Sequence, residues 1–589
     1  MPTVTIQHAF ALAVQHHQAG RLGEAEGIYR QILAGDPRQP DTLHMLGVLA
    51  HQLGRNDLAV DLIGQAMAIL PEHPAFRSNL SEAHRALGQT TEAIAASREA
   101  LRLKPDYPEA LNNLGNALLQ AGRPDEAIVE FRKAIELNPS SAETYHNLGA
   151  ALQETWQLDG AVAAFRRAIT LKHHYPEAQS ALILALNCHP GGDARAIAEE
   201  QSRWNQQYAE PLRHLIQPPT NERSVARRLR IGYVSADFRE HPVGCNLLPL
   251  LAGHDPHGFE IFGYAGVARP DPLTERFRAS AHHWRSTVGI SDELLAARIR
   301  EDRIDILVDL AVHTANHRLL VFARKPAPVQ VTFAGYPGST GLTAIDYRLS
   351  DPFLDPPGMD ESIYAEKTVR LPHSFWCYDP LDGRDTPVNN LTAQSNGYLT
   401  FGCLNNFCKT NPASVRLWAR ILCAVPCSRL LLLAPEGGHR QRVTELFGKE
   451  GVGAERLEFV SHQPRRKYLE LYHRIDLGLD TLPYNGHTTS LDSFWMGVPV
   501  VNLVGKTIVG RAGFCQLTNL KLPELIASTP EDYVQIATAL AEDLSRLAAL
   551  RSTLRPRMEK SPLMDASRFA RDIEAAYREM WRQWCAKAP

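Results

Sequence analysis

The residues best suited to chemistry stand together in one segment late in the sequence. An apolar strand is followed by the turn Asn485-Gly486, and His487, Thr488 and Thr489 then open a run with helical spacing. A helix therefore begins beside one imidazole and two hydroxyl groups. Because helix starts carry unpaired N–H groups and partial positive charge, this segment predicts a site for an anion such as a phosphate.

The same hydroxyl groups have a simpler explanation, because Ser and Thr are common helix N-caps. Thr489 and Asp492 are spaced like the two members of a capping pair, so capping is also expected here. His487 beside Gly486 favours the anion site, since it places an imidazole at the carboxyl end of a strand, where open α/β sheets bind ligands.

Lys409 is a second candidate in the same half of the chain. It follows an apolar strand at 399–403 and precedes a helix at 413–421. An ammonium group in that position can face a diphosphate. The alternative is an ordinary solvated lysine.

Three loops of the preceding region carry further candidates, and each follows a predicted strand. His241 follows the strand at 229–235, His313 follows the strand at 304–310, and a Gly-Tyr-Pro-Gly turn follows the strand at 329–333. The carboxyl ends of parallel strands share one edge of a sheet, and open α/β sheets bind their ligands at that edge. Histidine suits acid–base chemistry near neutral pH, although a loop histidine at the surface is the simpler interpretation of His241.

Strands alternating with helices predict two parallel, Rossmann-like domains. We place the first at 229–385 and the second at 397–560. A helical linker at 191–228 precedes them, and an amphipathic, aromatic-rich helix at 561–589 follows, which we expect to pack on one of the two sheets.

Residues 1–190 repeat with a period of 34. Small residues and prolines recur at this spacing over five units, and a degenerate sixth follows; the prolines are Pro37, Pro71, Pro105 and Pro139. This pattern resembles the tetratricopeptide repeat, in which small residues allow close helix packing and each proline ends a helix pair. We therefore predict an α-helical superhelix.

Asn79, Asn113 and Asn147 also lie 34 residues apart, each before the Leu of a Leu-Gly or Leu-Ser pair. On a superhelix they would form a row of amides along the inner wall, able to bind an extended peptide backbone. Ordinary helix-surface asparagines are the alternative. Repeat arrays mostly serve as interaction modules, so we expect a protein partner or substrate in this groove.

Composition limits the other possibilities. The 589 residues include 62 Lys and Arg against 65 Asp and Glu, a formal charge of −3, which gives no support for nucleic-acid binding. No apolar run approaches the roughly 18 residues that span a bilayer, and the start lacks a basic signal region, so we expect a cytoplasmic protein. Nine scattered cysteines are typical of reduced thiols, and no metal-site spacing is found.

Tetratricopeptide repeats followed by two domains with these loops resemble the O-GlcNAc transferase family of glycosyltransferases, over nearly the whole chain. The most specific segments are 237–242, 335–338, 344–347, 401–409 and 485–492. The resemblance implies a GT-B fold with the active site in the cleft between its two sheets. It also implies inverting transfer of N-acetylglucosamine from UDP-N-acetylglucosamine to Ser and Thr hydroxyls of proteins, with no metal or other cofactor.

The resemblance assigns roles to single residues. Lys409 would neutralise charge that develops on the departing UDP phosphates, for which other transferases use a divalent ion. His241 matches a histidine that serves as base or as positioning group, and we expect it in the active site. The remaining positions implied in binding the nucleotide sugar are Asn406, Arg465, His487, Thr488, Thr489, Asp492, Gly335, Pro337 and His313, with Asp492 near the sugar or ribose hydroxyls.

The chain departs from this family at Val312, where bacterial relatives usually have glycine before the His-Thr pair. We therefore expect the backbone there to stay farther from the sugar. The repeat array is also far shorter than in animal enzymes of the family.

Three alternatives remain at this point. A related enzyme could use GDP-fucose, but that branch has a turn that lacks the histidine at 487. A transferase for another UDP-hexose is the second alternative, although those relatives lack such repeats. The third is a repeat scaffold with a degenerate transferase half, which would not be expected to keep Lys409, His241 and His487 together.

Overall fold

The computed structural model describes residues 5–587, which form two compact units. The first comprises residues 5–155 and 163–173. The second comprises residues 156–162 and 174–587. The predicted fold class, a repeat array followed by two Rossmann-like domains, is confirmed.

Antiparallel helix pairs build the first unit. The helices of the array are α1 Ile6–Gln18, α2 Leu22–Gly35, α3 Pro40–Gln52, α4 Asn56–Ile69, α5 Pro74–Leu87, α6 Thr90–Leu103, α7 Pro108–Gln120, α8 Pro124–Leu137, α9 Ala142–Glu154 and α10 Leu158–Leu171. Each predicted proline follows the end of a helix by two residues, because proline cannot continue the helical hydrogen bonding.

The recurring glycines of the array allow two helices to touch. A Cβ atom on Gly115 would lie 2.4 Å from the ring of Phe131, and one on Gly149 would lie 2.6 Å from the ring of Phe165. Ser81 replaces glycine at the equivalent position and donates a hydrogen bond to the Ala93 carbonyl at 2.8 Å. The 34-residue period therefore follows from close packing within each pair.

Two parallel sheets form the centre of the second unit. Their strand orders are β3-β2-β1-β4-β5-β6-β7 and β10-β9-β8-β11-β12-β13. The first domain contains β1 Leu229–Ser235, α13 Pro242–Gly253, β2 Phe259–Ala265, α14 Pro272–Ser280, β3 His283–Ser286, α15 Asp292–Glu301, β4 Ile306–Asp309, α16 Leu319–Ala323, β5 Val329–Thr332, β6 Tyr347–Ser350 and β7 Lys367–Arg370; α11 Pro176–Cys188 and α12 Ala194–Trp204 precede it.

The second domain begins with the short helix α17 Ala393–Asn396. It continues with β8 Leu399–Cys403, α18 Pro412–Ala424, β9 Ser428–Leu433, α19 Gly438–Lys449, β10 Leu457–Val460, α20 Arg465–Leu471, β11 Leu477–Leu479, α21 Thr488–Trp495, β12 Val500–Leu503, α22 Ala512–Asn519, β13 Ile526–Ala527, α23 Pro530–Glu542 and α24 Leu544–Glu559. Its inner strands β8, β11 and β12 are buried on both faces, as expected for a parallel sheet covered by helices, while the edge strand β10 is partly exposed.

The final helix α25 Ala566–Ala586 returns to the first domain. Its Glu574 carboxylate lies 2.9 Å from Nδ1 of His254, and its Tyr577 hydroxyl lies 3.3 Å from the Tyr233 hydroxyl of β1. Phe569 packs near Phe333 at the end of β5. The chain thus crosses from the first domain to the second and back.

Helix α11 groups with the second unit, although the repeat period places it in the predicted range 1–190. Nearly every side of this helix is buried. The Trp204 indole of α12 donates to the Pro176 carbonyl at 3.1 Å, and Gln179 donates to the Glu200 carbonyl at 3.3 Å. Between residues 5 and 587, no helix is long and apolar enough to cross a bilayer.

Candidate functional site

The start of α21 lies at the carboxyl end of β11 and is not capped by a side chain. His487 is the N-cap residue, and no side-chain oxygen accepts from the first turn within the described chain. The prediction that Thr489 and Asp492 cap this helix is therefore wrong. The first three amides of a helix have no partner inside it, so the N–H groups of residues 488–490 remain available to an anion.

The two threonine hydroxyls make contacts within the protein. The Thr489 hydroxyl donates to Oδ1 of Asn405. The Thr488 hydroxyl donates to the Pro242 carbonyl at 3.3 Å and accepts from Nδ2 of Asn246 at 3.0 Å. The backbone at this helix start, more than the hydroxyls, is thus positioned for an anion.

Asp480 and Asn405 hold the turn before α21, and neither is among the predicted site residues. The buried Asp480 carboxylate accepts from the Gly486 amide at 2.6 Å and from the Asn405 amide at 3.0 Å. A Cβ atom on Gly486 would lie 2.3 Å from the Ser490 hydroxyl, so only glycine allows this turn to pack on the helix start. An Asp or Asn at a strand end is too common a pattern to reveal such a role.

Lys409 lies in a single turn of 3-10 helix after β8, against the same loop. Its ammonium group donates to the Asn485 carbonyl at 2.9 Å and lies 3.9 Å from the centre of the Tyr484 ring. Burial lowers the pKa of Lys409, and no carboxylate of the described residues lies within 4 Å to form an ion pair with it. A partly buried cation with carbonyl and ring contacts is well suited to receive an anionic ligand.

His487 is an uncharged imidazole between two aromatic rings. The ring centres of Tyr484 and Trp376 lie 4.8 and 5.3 Å from its own. Burial, and then the charge of Lys409, lower the pKa of His487 well below its ordinary value. Its Nε2 donates to the Val509 carbonyl at 3.3 Å, which leaves Nδ1 as an acceptor.

Arg465 and Asp492 form a buried ion pair. Arg465 donates to the two carboxylate oxygens of Asp492 at 2.7 and 2.5 Å. The Tyr378 hydroxyl donates to Asp492 at 2.6 Å and accepts from Arg465 at 3.1 Å. Both Asp492 oxygens are engaged and the side chain is 2% exposed, while its placement beside the sugar or ribose hydroxyls stays a prediction.

Asn406 and the Gly-Tyr-Pro-Gly turn of the first domain both make contacts within the protein. Asn406 is exposed and accepts from the Cys408 amide at 3.2 Å, next to Lys409. A Cβ atom on Gly335 would lie 2.6 Å from the Ala311 carbonyl, so this glycine is needed for packing, and Pro337 continues the same turn.

The first domain contributes His241, which is the N-cap residue of α13. Its Nδ1 accepts from the Val243 amide at 3.3 Å, and an Asp237 carboxylate oxygen lies 3.6 Å from the same nitrogen. Burial lowers the pKa of His241, while Asp237 acts in the opposite direction. The neutral ring that accepts at Nδ1 carries its proton on Nε2. The side chain is 32% exposed, so that N–H group can donate to a ligand.

His313 is part of a buried hydrogen-bond chain and not of an open site. His317 Nε2 donates to the Ser180 hydroxyl at 2.8 Å, Ser180 donates to His313 Nδ1 at 3.0 Å, and His313 Nε2 donates to the Thr340 carbonyl at 2.9 Å. Burial lowers the pKa of His313 to about 4 and that of His317 to about 3, so both rings are neutral. Both ring nitrogens of His313 are thus engaged within the protein, and its contact with the nucleotide sugar stays a prediction.

Val312 keeps the backbone conformation that glycine would adopt. Its φ is 54°, in the left-handed region, where a β-branched residue is strained by roughly 1–2 kcal/mol. The Asp309 carboxylate accepts from the Val312 amide at 2.9 Å and from the Ala311 amide at 3.2 Å. These bonds hold the loop after β4 in its strained form.

The asparagines of the repeat array connect neighbouring repeats. Nδ2 of Asn113 donates to the Ser78 carbonyl at 3.1 Å, and Nδ2 of Asn147 donates to Asn112 Oδ1 at 3.0 Å. Nδ2 of Asn79 lies 2.8 Å from Nε2 of His44. Each amide of this row thus uses at least one N–H group between repeats.

Comparison with known proteins agrees with this arrangement. The family model described as glycosyl transferase family 41 matches residues 208–382 and 391–573, and tetratricopeptide models match 6–31, 44–108, 78–142 and 118–183. The Lys-to-Met mutant structure of the Thermobaculum terrenum O-GlcNAc transferase has a TM-score of 0.81 and 38% identity, covering 87% of this chain and 98% of that one.

Curated relatives match about two thirds of this chain. The probable UDP-N-acetylglucosamine–peptide N-acetylglucosaminyltransferase SPINDLY of Petunia hybrida is 38% identical over 415 residues, which are 68% of this chain and 44% of that protein. The probable enzyme of the same activity named SEC, from Arabidopsis thaliana, is 32% identical over 386 residues, 64% of this chain and 39% of that protein. The chain spans less than half the length of these relatives.

Proposed function

The chain belongs to glycosyl transferase family 41, and from this membership we propose that it transfers N-acetylglucosamine from UDP-N-acetylglucosamine to Ser and Thr hydroxyls of proteins. The names of the curated relatives and of the solved bacterial enzyme support this donor and this class of acceptor. The single structural observation that carries the proposal is the uncapped start of α21 beside Lys409.

In the proposed inverting reaction, an acceptor hydroxyl attacks the anomeric carbon of the sugar from the face opposite UDP. The new C–O bond forms as the bond to the diphosphate breaks, the proton of the acceptor hydroxyl passes to solvent water, and negative charge develops on the departing phosphate oxygens. The Lys409 ammonium and the amides at the start of α21 would stabilise this charge, so the reaction requires no metal or cofactor. Their fixed positions mean that little reorganisation accompanies the step.

For His241 we propose a positioning role through its Nε2–H group. The Val243 amide at Nδ1 supports this assignment, because a ring that carries its proton on Nε2 is a donor there and not a base. Arg465, held by Asp492, would contact the nucleotide portion from the start of α20.

We propose that protein acceptors enter along the repeat array. The amides of Asn79, Asn113 and Asn147 each donate at least one N–H group between repeats, and their side-chain carbonyl oxygens would accept from the N–H groups of an extended peptide.

A cytoplasmic location is proposed on composition alone, from nine cysteines without a pairing pattern.

Lys409→Ala tests the assigned chemistry. We expect transfer to peptides to be abolished while UDP binding survives at least partly, because the helix amides still contact the diphosphate. Lys506→Ala, at an exposed lysine of the same domain, is the matched control and should keep full activity. Product formation is measured by mass spectrometry and UDP binding by calorimetry. Full activity of Lys409→Ala would exclude this role.

A further inference from the structure

Asn246 joins the two α/β domains. It lies on α13 in the first domain, and its Nδ2 donates to the Pro242 carbonyl at 3.1 Å and to the Thr488 hydroxyl at 3.0 Å. The Thr488 hydroxyl in turn donates to the same Pro242 carbonyl at 3.3 Å. We call these three groups the Asn246 bridge. It is a closed ring of hydrogen bonds between the first domain and the first residue of α21.

The Asn246 bridge is buried, and its buried amide group lowers the stability of the fold. Asn246 is 6% exposed and Thr488 is 7% exposed. Oδ1 of Asn246 is buried and accepts no hydrogen bond from any residue of the described chain. A buried acceptor without a donor destabilises a folded protein, and α13 is otherwise apolar around this position. Leucine, similar in size to asparagine, would therefore suit the fold better.

The bridge connects two residues that lie next to groups with a role in the proposed reaction. Pro242 directly follows His241, and Thr488 begins the helix whose amides are proposed to bind the diphosphate. The bridge therefore sets the distance between the His241 ring in the first domain and the anion site in the second.

We infer that Asn246 is a positioning residue for glycosyl transfer, which fixes His241 relative to the sugar diphosphate through Thr488. This inference rests on the proposed function. It predicts that the loss of the amide disturbs the aligned complex while the fold and the anion site itself stay intact.

Asn187 is a comparison residue in the same protein, because its role is purely structural. It is also 6% exposed, and its Nδ2 donates to the carbonyl four residues earlier, that of Ile183, at 2.9 Å. Asn246 makes the same bond to Pro242 and adds the bond to Thr488. The additional bond is what distinguishes the two residues, so Asn187→Leu is a matched control.

The experiment compares Asn246→Leu and Asn187→Leu with the unmodified full chain. We expect the kcat of Asn246→Leu to fall about tenfold or more, because a small misplacement of the reacting groups strongly lowers the rate of transfer. The KM for the nucleotide sugar and the Kd for UDP should change less than about threefold, since Lys409 and the helix amides are untouched. The Tm should stay unchanged or rise, and Asn187→Leu should keep the original kcat.

Thr488→Val and Thr488→Ser examine the other side of the bridge. The valine variant removes the hydroxyl and should lower kcat as Asn246→Leu does, whereas the serine variant should retain it. Because both changes break one bridge, the double variant Asn246→Leu with Thr488→Val should be no slower than the slower single variant. If Asn246→Leu does not fold, the two Thr488 variants still test the inferred positioning role.

Three results would overturn the inference. They are an unchanged kcat in Asn246→Leu, a fall in Tm that accompanies the loss of activity, and a double variant whose effects simply multiply. If the unmodified chain transfers sugar from none of UDP-N-acetylglucosamine, UDP-glucose and GDP-fucose, the proposed function fails and the inference fails with it. An active unmodified chain with an equally active Asn246→Leu overturns the inference alone.

Discussion

At the scale of single residues, the partner of a charged side chain decides its role. Asp492 has the spacing of a helix cap and lies in a motif of donor binding, yet its two oxygens are taken by Arg465 and Tyr378. These partners stand 27 and 114 residues away in sequence, so no local pattern could predict them. Lys409 and His487 were predictable because the strand–turn–helix pattern that places them is local.

Removing one member of the Arg465–Asp492 pair should destabilise the protein strongly. Asp492→Leu leaves a mostly buried guanidinium without its carboxylate, and we expect the free energy of unfolding to fall by about 3–5 kcal/mol. Denaturant unfolding of the intact chain measures this change.

The double variant Arg465→Met with Asp492→Leu provides the control. It removes both charges, so most of the lost stability should return, while the affinity for UDP should remain low because Arg465 is proposed to contact the nucleotide. A double variant no more stable than Asp492→Leu alone would contradict this explanation, because removing the unpaired charge should restore stability.

At the scale of elements, close packing and strand order explain what the sequence predicted. Hydrophobic strands with glycine-containing loops were sufficient to place β1, β8 and α21 within a residue or two. Whether a helix start is capped depends on side-chain directions, which spacing alone does not fix. The uncapped start of α21 was therefore visible only in the structure.

Gly115 should resist substitution because of its neighbour. The Cβ atom of Gly115→Ala would lie 2.4 Å from the Phe131 ring, and overpacking of this kind typically costs about 1–3 kcal/mol. We expect faster hydrogen exchange across α7 and α8, measured by mass spectrometry on the intact chain.

Gly64→Ala is the matched substitution in the same array. A Cβ atom on Gly64 in α4 would meet nothing within 4 Å. Alanine is favoured over glycine in a helix by roughly 0.5–1 kcal/mol, so exchange in α4 should slow. Equal effects of the two substitutions would show that helix propensity, and not contact with Phe131, determines the need for glycine.

At the scale of the whole molecule, periodicity was enough to predict the repeat array and the two parallel sheets. It was not enough to assign α11, which has the repeat period but groups with the second unit. The reason is the hydrogen bond from Ser180 to His313, 133 residues later, together with the contacts to α12. Long-range contacts of this kind leave no signal in local spacing.

The central claim is that this chain moves N-acetylglucosamine from UDP to protein hydroxyls. The most direct measurement incubates the intact chain with a mixture of Ser- and Thr-containing peptides and, separately, UDP-N-acetylglucosamine, UDP-glucose or GDP-fucose, and identifies modified peptides by mass spectrometry. We predict N-acetylhexosamine on Ser or Thr with the first donor, and none when Lys409→Ala replaces the unmodified chain. Modification only with GDP-fucose or UDP-glucose, or none with any donor, would contradict the account.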